Sequence, residues 1–184
     1  MKNVLMLAHD DSGQEARLQA AVALVKALDG HLTCLDVSEM PIAFVDAFSQ
    51  AGLSAALVDT RDREAANRIR IEKRLLQESI SWDWLEAVGD LADRLKRTAG
   101  LADLVVLNRR LGAGSPRMEH IAAEILLRAH RPVLAVPEEL SHLTLAGARA
   151  MIAWDGSDEV VQALSVSVPL LLLATARDLR VKRF

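Results

Sequence analysis

Two short clusters carry the residue types that could do chemistry. In the first, Asp10, Asp11, Ser12 and Gly13 follow the apolar run Val4 to Ala8 after a single residue, His9. Carboxylates just past a strand can bind a ligand's hydroxyl or amino groups, or they can simply make the turn by accepting nearby backbone N–H groups at a helix start. Both readings of Asp10 stay open on the sequence, and Asp11 adds a second charge at the same spot. In the second cluster Asn108, Arg109 and Arg110 precede Gly112-Ala113-Gly114-Ser115, with Arg117 just beyond. Glycines let backbone N–H groups approach an anion, and a serine hydroxyl at a helix start adds a donor. Arginines could neutralise a phosphate there.

Other chemistries find no support. Ser12, Ser115 and Ser157 lack a Gly-x-Ser-x-Gly elbow, and no lysine follows a glycine loop. Asp10 and Asp11 are too local to work as an acid–base pair. His9, His31, His120, His130 and His142 are scattered, and none stands at ligand spacing with Cys34. No metal site and no catalytic residue are therefore expected.

The net charge of −3 provides no basic footprint for nucleic acid. The charged run from Arg61 to Arg74 has balancing acids and no interleaved aromatics, so it reads as a solvated helix face. One cysteine excludes an intramolecular disulfide and fits a reducing compartment, with Cys34 a small buried strand residue. Lys2 and a short apolar stretch do not make a signal peptide. Val160 to Ala176 lacks charge but holds Gln162, Ser165, Ser167 and Pro169, short of the ~20 residues a bilayer demands. A cytoplasmic protein without membrane or nucleic-acid partners is expected.

These clusters need strands and helices to position them. Asn3 to Ala8 reads as a strand covered on both faces. Ser12 and Glu15 read as a capping box, and Ala16, Ala20, Ala23, Leu24, Ala27 and Leu28 as the apolar face of the helix that follows. Gly30 reads as its C-cap. His31 to Val37 is a second strand. Ser38 to Ser54, with Pro41, Phe44, Val45 and Phe48, reads as loop and short helix. Ala55 to Ser79 turns helical, with Val58, Ala65, Ile69 and Leu76 in line. Ile80 to Val88 is a third strand with Trp82 and Trp84 on one face. Gly89-Asp90 leads into a helix through Leu91, Leu95 and Ala99, stopped at Gly100. Ala102 to Leu107 is a fourth strand. Arg117 to His130 is a helix with Ile121, Ile125 and Leu126 inward, and Val133 to Val136 is a fifth strand between prolines.

Alternating strands and helices imply a Rossmann-like, doubly wound α/β fold with a parallel five-stranded sheet. Ligands in such sheets sit beyond the carboxyl ends of the strands, here Asp10, Val37 and Asn108. The opening unit then recurs. Ala150-Met151-Ile152-Ala153-Trp154-Asp155-Gly156-Ser157 repeats the pattern of an apolar run, a carboxylate, a turn and a serine, and an apolar helix follows. A first domain over 1–137, a polar linker over 138–148 and the start of a second copy over 149–184 are expected. A second strand of that copy is expected over Leu179 to Lys182.

The order of these pieces resembles the universal stress protein family over nearly the whole chain. The strand-Asp-x-Ser turns at Asp10 and Asp155 carry the likeness, with Trp82-Asp83-Trp84, Ala102 to Leu107, and Glu124 to Pro137. The resemblance implies the sheet order 3-2-1-4-5, a tandem-type member, a stress-response or regulatory role, and pairing through the fifth strand, Val133 to Val136. It also supplies candidate nucleotide-binding positions: Asp10, Asp11, Val37, Asn108, Arg109, Gly112, Gly114 and Ser115. The family's nucleotide-binding branch has a Gly-x2-Gly-x9-Gly-Ser/Thr loop. Here Asn108 and Leu111 replace the first two glycines, and Glu119-His120 the Gly-Ser pair. Glu119 near a triphosphate would cost about 1 kcal/mol or more. The expectation is a non-enzymatic protein that does not bind ATP tightly. An ATP-binding switch of the same fold is the alternative, and a nucleotide α-hydrolase-like enzyme a further one.

Overall fold

The structure is a computed structural model that describes residues 1–38, 50–108, 118–174 and 180–183, with side chains described over 1–38, 61–108 and 118–174. The chain runs β1 (Asn3–Leu7), α1 (Gln14–Leu28), β2 (His31–Ser38), α2 (Gln50–Leu75), β3 (Ser81–Val88), α3 (Leu91–Ala99), β4 (Leu104–Asn108) and α4 (Met118–Glu124). A π-helical turn over Ile125–Ala129, β5 (Val133–Val136), β6 (Met151–Trp154), α5 (Asp158–Leu171) and β7 (Arg180–Arg183) complete it.

Five strands form an all-parallel sheet in the order β3-β2-β1-β4-β5. β1 is central, with Val4 opposite Leu32 on one side and Leu104 on the other. Strand alternation divides its side chains between two cores. Val4, Met6 and Ala8 join α1, with Ile71 and Leu75 of α2, on one face. Leu5 and Leu7 join α3 and α4 on the other. Covering on both faces explains why β1 and β4 carry uninterrupted apolar runs. Cys34 lies in the first core, where burial first, then Asp83 and Glu72, push its thiol up to about 12.

Several local expectations are corrected. The first helix has no capping box: its N-cap is Gly13, and Ser12 Oγ instead donates to Glu138 Oε2 at 3.2 Å. Its left-handed C-cap is Asp29, not Gly30. Gly30 is needed for space, because a Cβ there would strike the Lys2 carbonyl oxygen. The buried side of α1 is broader than the alanine stripe and leaves Ala27 exposed. In α2 the inward line is Asn67, Ile71 and Leu75, whereas Ile69 and Leu76 are exposed. Leu126 is exposed as well, because Ile125, one residue earlier in the π-helical turn, takes the inward position. The stretch 138–148 is not simply polar, since Leu140, Leu143 and Leu145 pack on the first core. The region around Pro41, Phe44, Val45 and Phe48 lies outside the described residues.

The repeat is visible as topology. β6, α5 and β7 form a second unit with parallel strands, Met151 opposite Arg180, like β1, α1 and β2. Its turn is shorter, and this shifts an equivalence. Asp155 Oδ1 accepts the Ser157 N–H, and in the first unit the same bond is made by Asp11, which accepts from Gly13, not by Asp10.

Candidate functional site

The carboxyl ends of β1, β2 and β4 lie at one end of the sheet, and a buried arginine sits between those of β1 and β4. Arg17 has no exposed surface, although it stands in the first turns of α1. Its Nε donates to the Leu7 carbonyl at 2.9 Å. Nη1 donates to Asp11 Oδ1 at 3.0 Å and to Asn108 Oδ1. Nη2 donates to the His9 carbonyl and to Asp11 Oδ2, both at 2.8 Å. A guanidinium has five N–H donors, and all five are satisfied by protein oxygens. Asn108, itself buried, turns its Nδ2 to the Val136 carbonyl at 3.1 Å and so ties β4 to β5. Gly13 leaves room for it: a Cβ there would come within 2.6 Å of the Asn108 side chain.

Asp11 and Asn108, two of the sequence-selected positions, thus meet through a residue the sequence reading passed over. The signal was present: Arg17 lies on the same helix side as Ala20, Ala21 and Leu24, where a lone cation must find partners or leave the core.

Asp10 lies outside this knot. Its carboxylate is 54% exposed and accepts from Arg70 Nη2 at 2.5 Å. The same arginine nitrogen donates to Asn67 Oδ1 at 2.7 Å. Asn67 and Gln14 exchange amide bonds of 2.7 and 3.0 Å, which clamps α2 to α1. Above this clamp, His9, Asp10, Asp36, Arg63, Glu64 and Asn67 line a cavity of about 270 Å³ at the ends of β1 and β2. A second hollow of about 240 Å³ lies between α1 and α2, with Leu18 and Ile71 among its lining and Arg70, Lys73 and Arg74 alongside. Val37 does not reach the first cavity. It is buried in the α3 core, because alternation along β2 sends Asp36 and Val37 to opposite faces.

Asp36 is the most perturbed carboxylate of the cavity. Burial first, then the facing carboxylates of Glu64 and Glu86, raise it to about 6, against the pull of Arg68 and a backbone hydrogen bond at Val37. Glu64 in turn accepts from Ser38 Oγ at 2.8 Å. Arg68 pairs with Glu72 and Glu86 and lies 5.5 Å from the Trp84 ring centroid, so α2 is laced to β3 by charge and by ring contact. Arg109, Gly112, Gly114 and Ser115 lie outside the described residues, as does Arg117. At the far end of that loop, Glu119 stands exposed in the first turn of α4. Among the described residues no group of histidine, cysteine and acidic side chains is placed to hold a metal ion. No helix among them is long and apolar enough to cross a membrane.

No protein-family model matches the sequence, and no curated protein matches it. Solved structures do match. A universal stress protein family member from Burkholderia pseudomallei is 21% identical and superposes with a TM-score of 0.56, covering 74% of this chain and 96% of the other. The hypothetical protein MJ0577, whose biochemical function was assigned from its structure, is 18% identical with a TM-score of 0.57, covering 74% and 95%. Universal stress protein UspA from Lactobacillus plantarum is 18% identical with a TM-score of 0.54, covering 73% and 97%. The class of protein defined here is a parallel α/β sheet with helices on both faces and a strand-end crevice. Its fold is that of the universal stress proteins.

Proposed function

We propose that this chain is a universal stress protein that works as a non-enzymatic regulatory protein in the cytoplasm and does not bind ATP tightly. The observation that carries the reading is the saturation of Arg17. Among the described residues, the cation buried between the ends of β1 and β4 has no donor left for a phosphate. Asn108 fills the point where the family's nucleotide loop would begin, and its amide is committed to Arg17 and Val136. Glu119 adds a negative charge to the N-terminal turn of α4, the place where an anion would otherwise be favoured. The regulatory role itself is carried by fold likeness. Pairing between copies through the β5 edge, where Ala135 is exposed, completes the proposal.

Thermal unfolding with and without Mg-ATP tests it. A ligand at ~100 times its Kd adds about 2.7 kcal/mol to stability, so the expected result is an unchanged midpoint at millimolar nucleotide. A clear upward shift would overturn the reading in favour of an ATP-binding switch. One observation favours that second reading: the cavity of about 270 Å³ beside Asp10 is open at the strand ends.

A further inference from the structure

The hollow between α1 and α2 lies apart from the strand-end crevice and has a build of its own. Two ties hold the helices on either side of it. Gln14 and Asn67 exchange amide bonds beside the crevice. In the last turn of α1, Lys26 reaches Glu78, just past the end of α2, at 2.6 Å. Between the ties Leu18 and Ile71, each 2% exposed, form an apolar floor. The lining carries three cations, Arg70, Lys73 and Arg74, against one carboxylate, Glu15. That carboxylate already accepts from Gln19 Nε2 at 2.8 Å. Most donors of these cations are uncommitted. Lys73 is exposed and makes no hydrogen bond or ion pair among the described residues. Arg70 uses only Nη2, on Asp10 and Asn67, which leaves three N–H groups on Nε and Nη1. Arg74 pairs through Nη1 with Glu78, and Lys26 shares that same acid.

We propose that this hollow binds a small organic carboxylate, its head on Lys73 and Arg70 and its apolar body over Leu18 and Ile71. Three features select that chemistry. The four cations around the hollow, Lys26, Arg70, Lys73 and Arg74, face three acids, Asp10, Glu15 and Glu78, so one positive charge is left over for a monoanion. A guanidinium with free N–H groups meets a carboxylate in two parallel bonds. The pair of Arg70 with Asp10 is no obstacle, because both side chains are more than half exposed and such pairs are weak. The volume of about 240 Å³ lies below the roughly 300–1,000 Å³ of pockets for drug-sized ligands, so a compact acid fits and a nucleotide does not. Arg17 marks the contrast: its five donors are all taken by protein oxygens, whereas those of Arg70 and Lys73 stand open beside an apolar floor.

The inference does not rest on the reading of the strand-end crevice, and neither result with Mg-ATP decides it. The test is a titration of the full chain with sodium benzoate at constant ionic strength, followed through the backbone amide shifts in two-dimensional NMR. Saturable shifts are expected over residues 14–18 and 70–77. Benzyl alcohol, of the same size but uncharged, is expected to give none there. Lys73→Gln, at an exposed position, is expected to weaken benzoate binding about ten-fold with an unchanged circular dichroism spectrum. Should that variant fail to fold, Arg70→Gln replaces it, because the Arg70 side chain is 61% exposed. Shifts that do not saturate, or that gather instead around His9, Asp10 and Asp36, overturn the proposal. So does a benzoate affinity that either variant leaves unchanged. Equal binding of benzyl alcohol removes the role of the cations, and equal binding of inorganic phosphate removes that of the apolar floor; either result overturns the assignment to an organic carboxylate.

Discussion

At Arg17 a buried charge is held by one carboxylate, one amide and two backbone carbonyls. Such an ion pair adds little over a well-packed apolar pair, but removing one partner strands the other in the core. Arg17→Met is therefore expected to cost about 3–5 kcal/mol in urea unfolding, because Asp11, whose side chain is 6% exposed, loses its counter-charge. In a double-mutant cycle with Asp11→Asn the two losses should be far from additive, and additive losses would remove Arg17 from the centre of the site. Asp36 gives a second prediction. Its folded value of about 6 lies above the unfolded carboxylate near 3.8. Between those values the folded chain holds a proton that the unfolded chain has released, so stability falls as pH rises from about 4 to 6 and then levels. Asp36→Asn should flatten that slope, and an unchanged slope would place its origin elsewhere. The facing groups are Glu64 and Arg68 of α2 and Glu86 of β3, so the readout reports how firmly α2 lies on the sheet.

The elements show which signals a sequence can and cannot carry. Strands β1 and β4 were legible because burial on both faces demands apolar runs, the edge strand β3, with no buried residue, by Trp82 and Trp84 on one face, and the turns at Gly89-Asp90 and Pro132 bound β3 and β5. Asp90 caps α3 through the Asp93 N–H at 2.8 Å, as its place before Leu91 implies. α2 was misread in its facing, for a physical reason. It carries two lines of apolar residues, and which one is buried depends on α1, whose Gln14 selects Asn67 as partner. A polar residue at the centre of the inward line is invisible to a hydrophobic pattern. Arg17 was missed for the same reason: a charge inside an apolar stripe is invisible to a hydrophobic pattern, and although Asp11 is near in sequence, Asn108 on β4 is brought to it only by folding. Gly30 was placed correctly at the end of α1, but for the wrong cause, and the two causes predict different outcomes. A left-handed C-cap glycine loses about 1 kcal/mol on becoming alanine. A glycine pressed against the Lys2 carbonyl forces the α1–β2 turn away from β1, costing about 1–3 kcal/mol, while Asp29→Gly should be neutral or stabilising because Asp29 holds the positive φ of 48°. Thermal unfolding of Gly30→Ala and Asp29→Gly decides between them.

For the molecule as a whole, the internal repeat was the clearest message of the sequence, and the strands at both places, β1 with β2 and β6 with β7, are paired in parallel. How the first unit ends was not legible. A boundary at residue 137 follows from the proline that closes β5, and the stretch beyond it looked like a tether because it opens on Glu138-Glu139 and spaces its leucines among polar and small residues. Leu140, Leu143 and Leu145 nevertheless lie on the α1 side of the sheet as part of the first core's cover, together with Leu170 of α5. Each is partly buried, and a half-covered leucine contributes about 1 kcal/mol. Glu138 adds the contact to Ser12 at the start of α1. A chain ended at residue 148 should therefore keep the midpoint that these leucines support. A chain ended at 137 should lose about 3 kcal/mol and expose the surface over Val4, Leu32 and Leu104, visible as increased binding of an apolar dye. Equal midpoints for the two chains would mean that the leucines lie on the core without holding it, and 137 would stand as the boundary of the folded unit. A midpoint that drops only for the shorter chain moves the boundary past Leu145 and makes the connector a structural part of the first sheet.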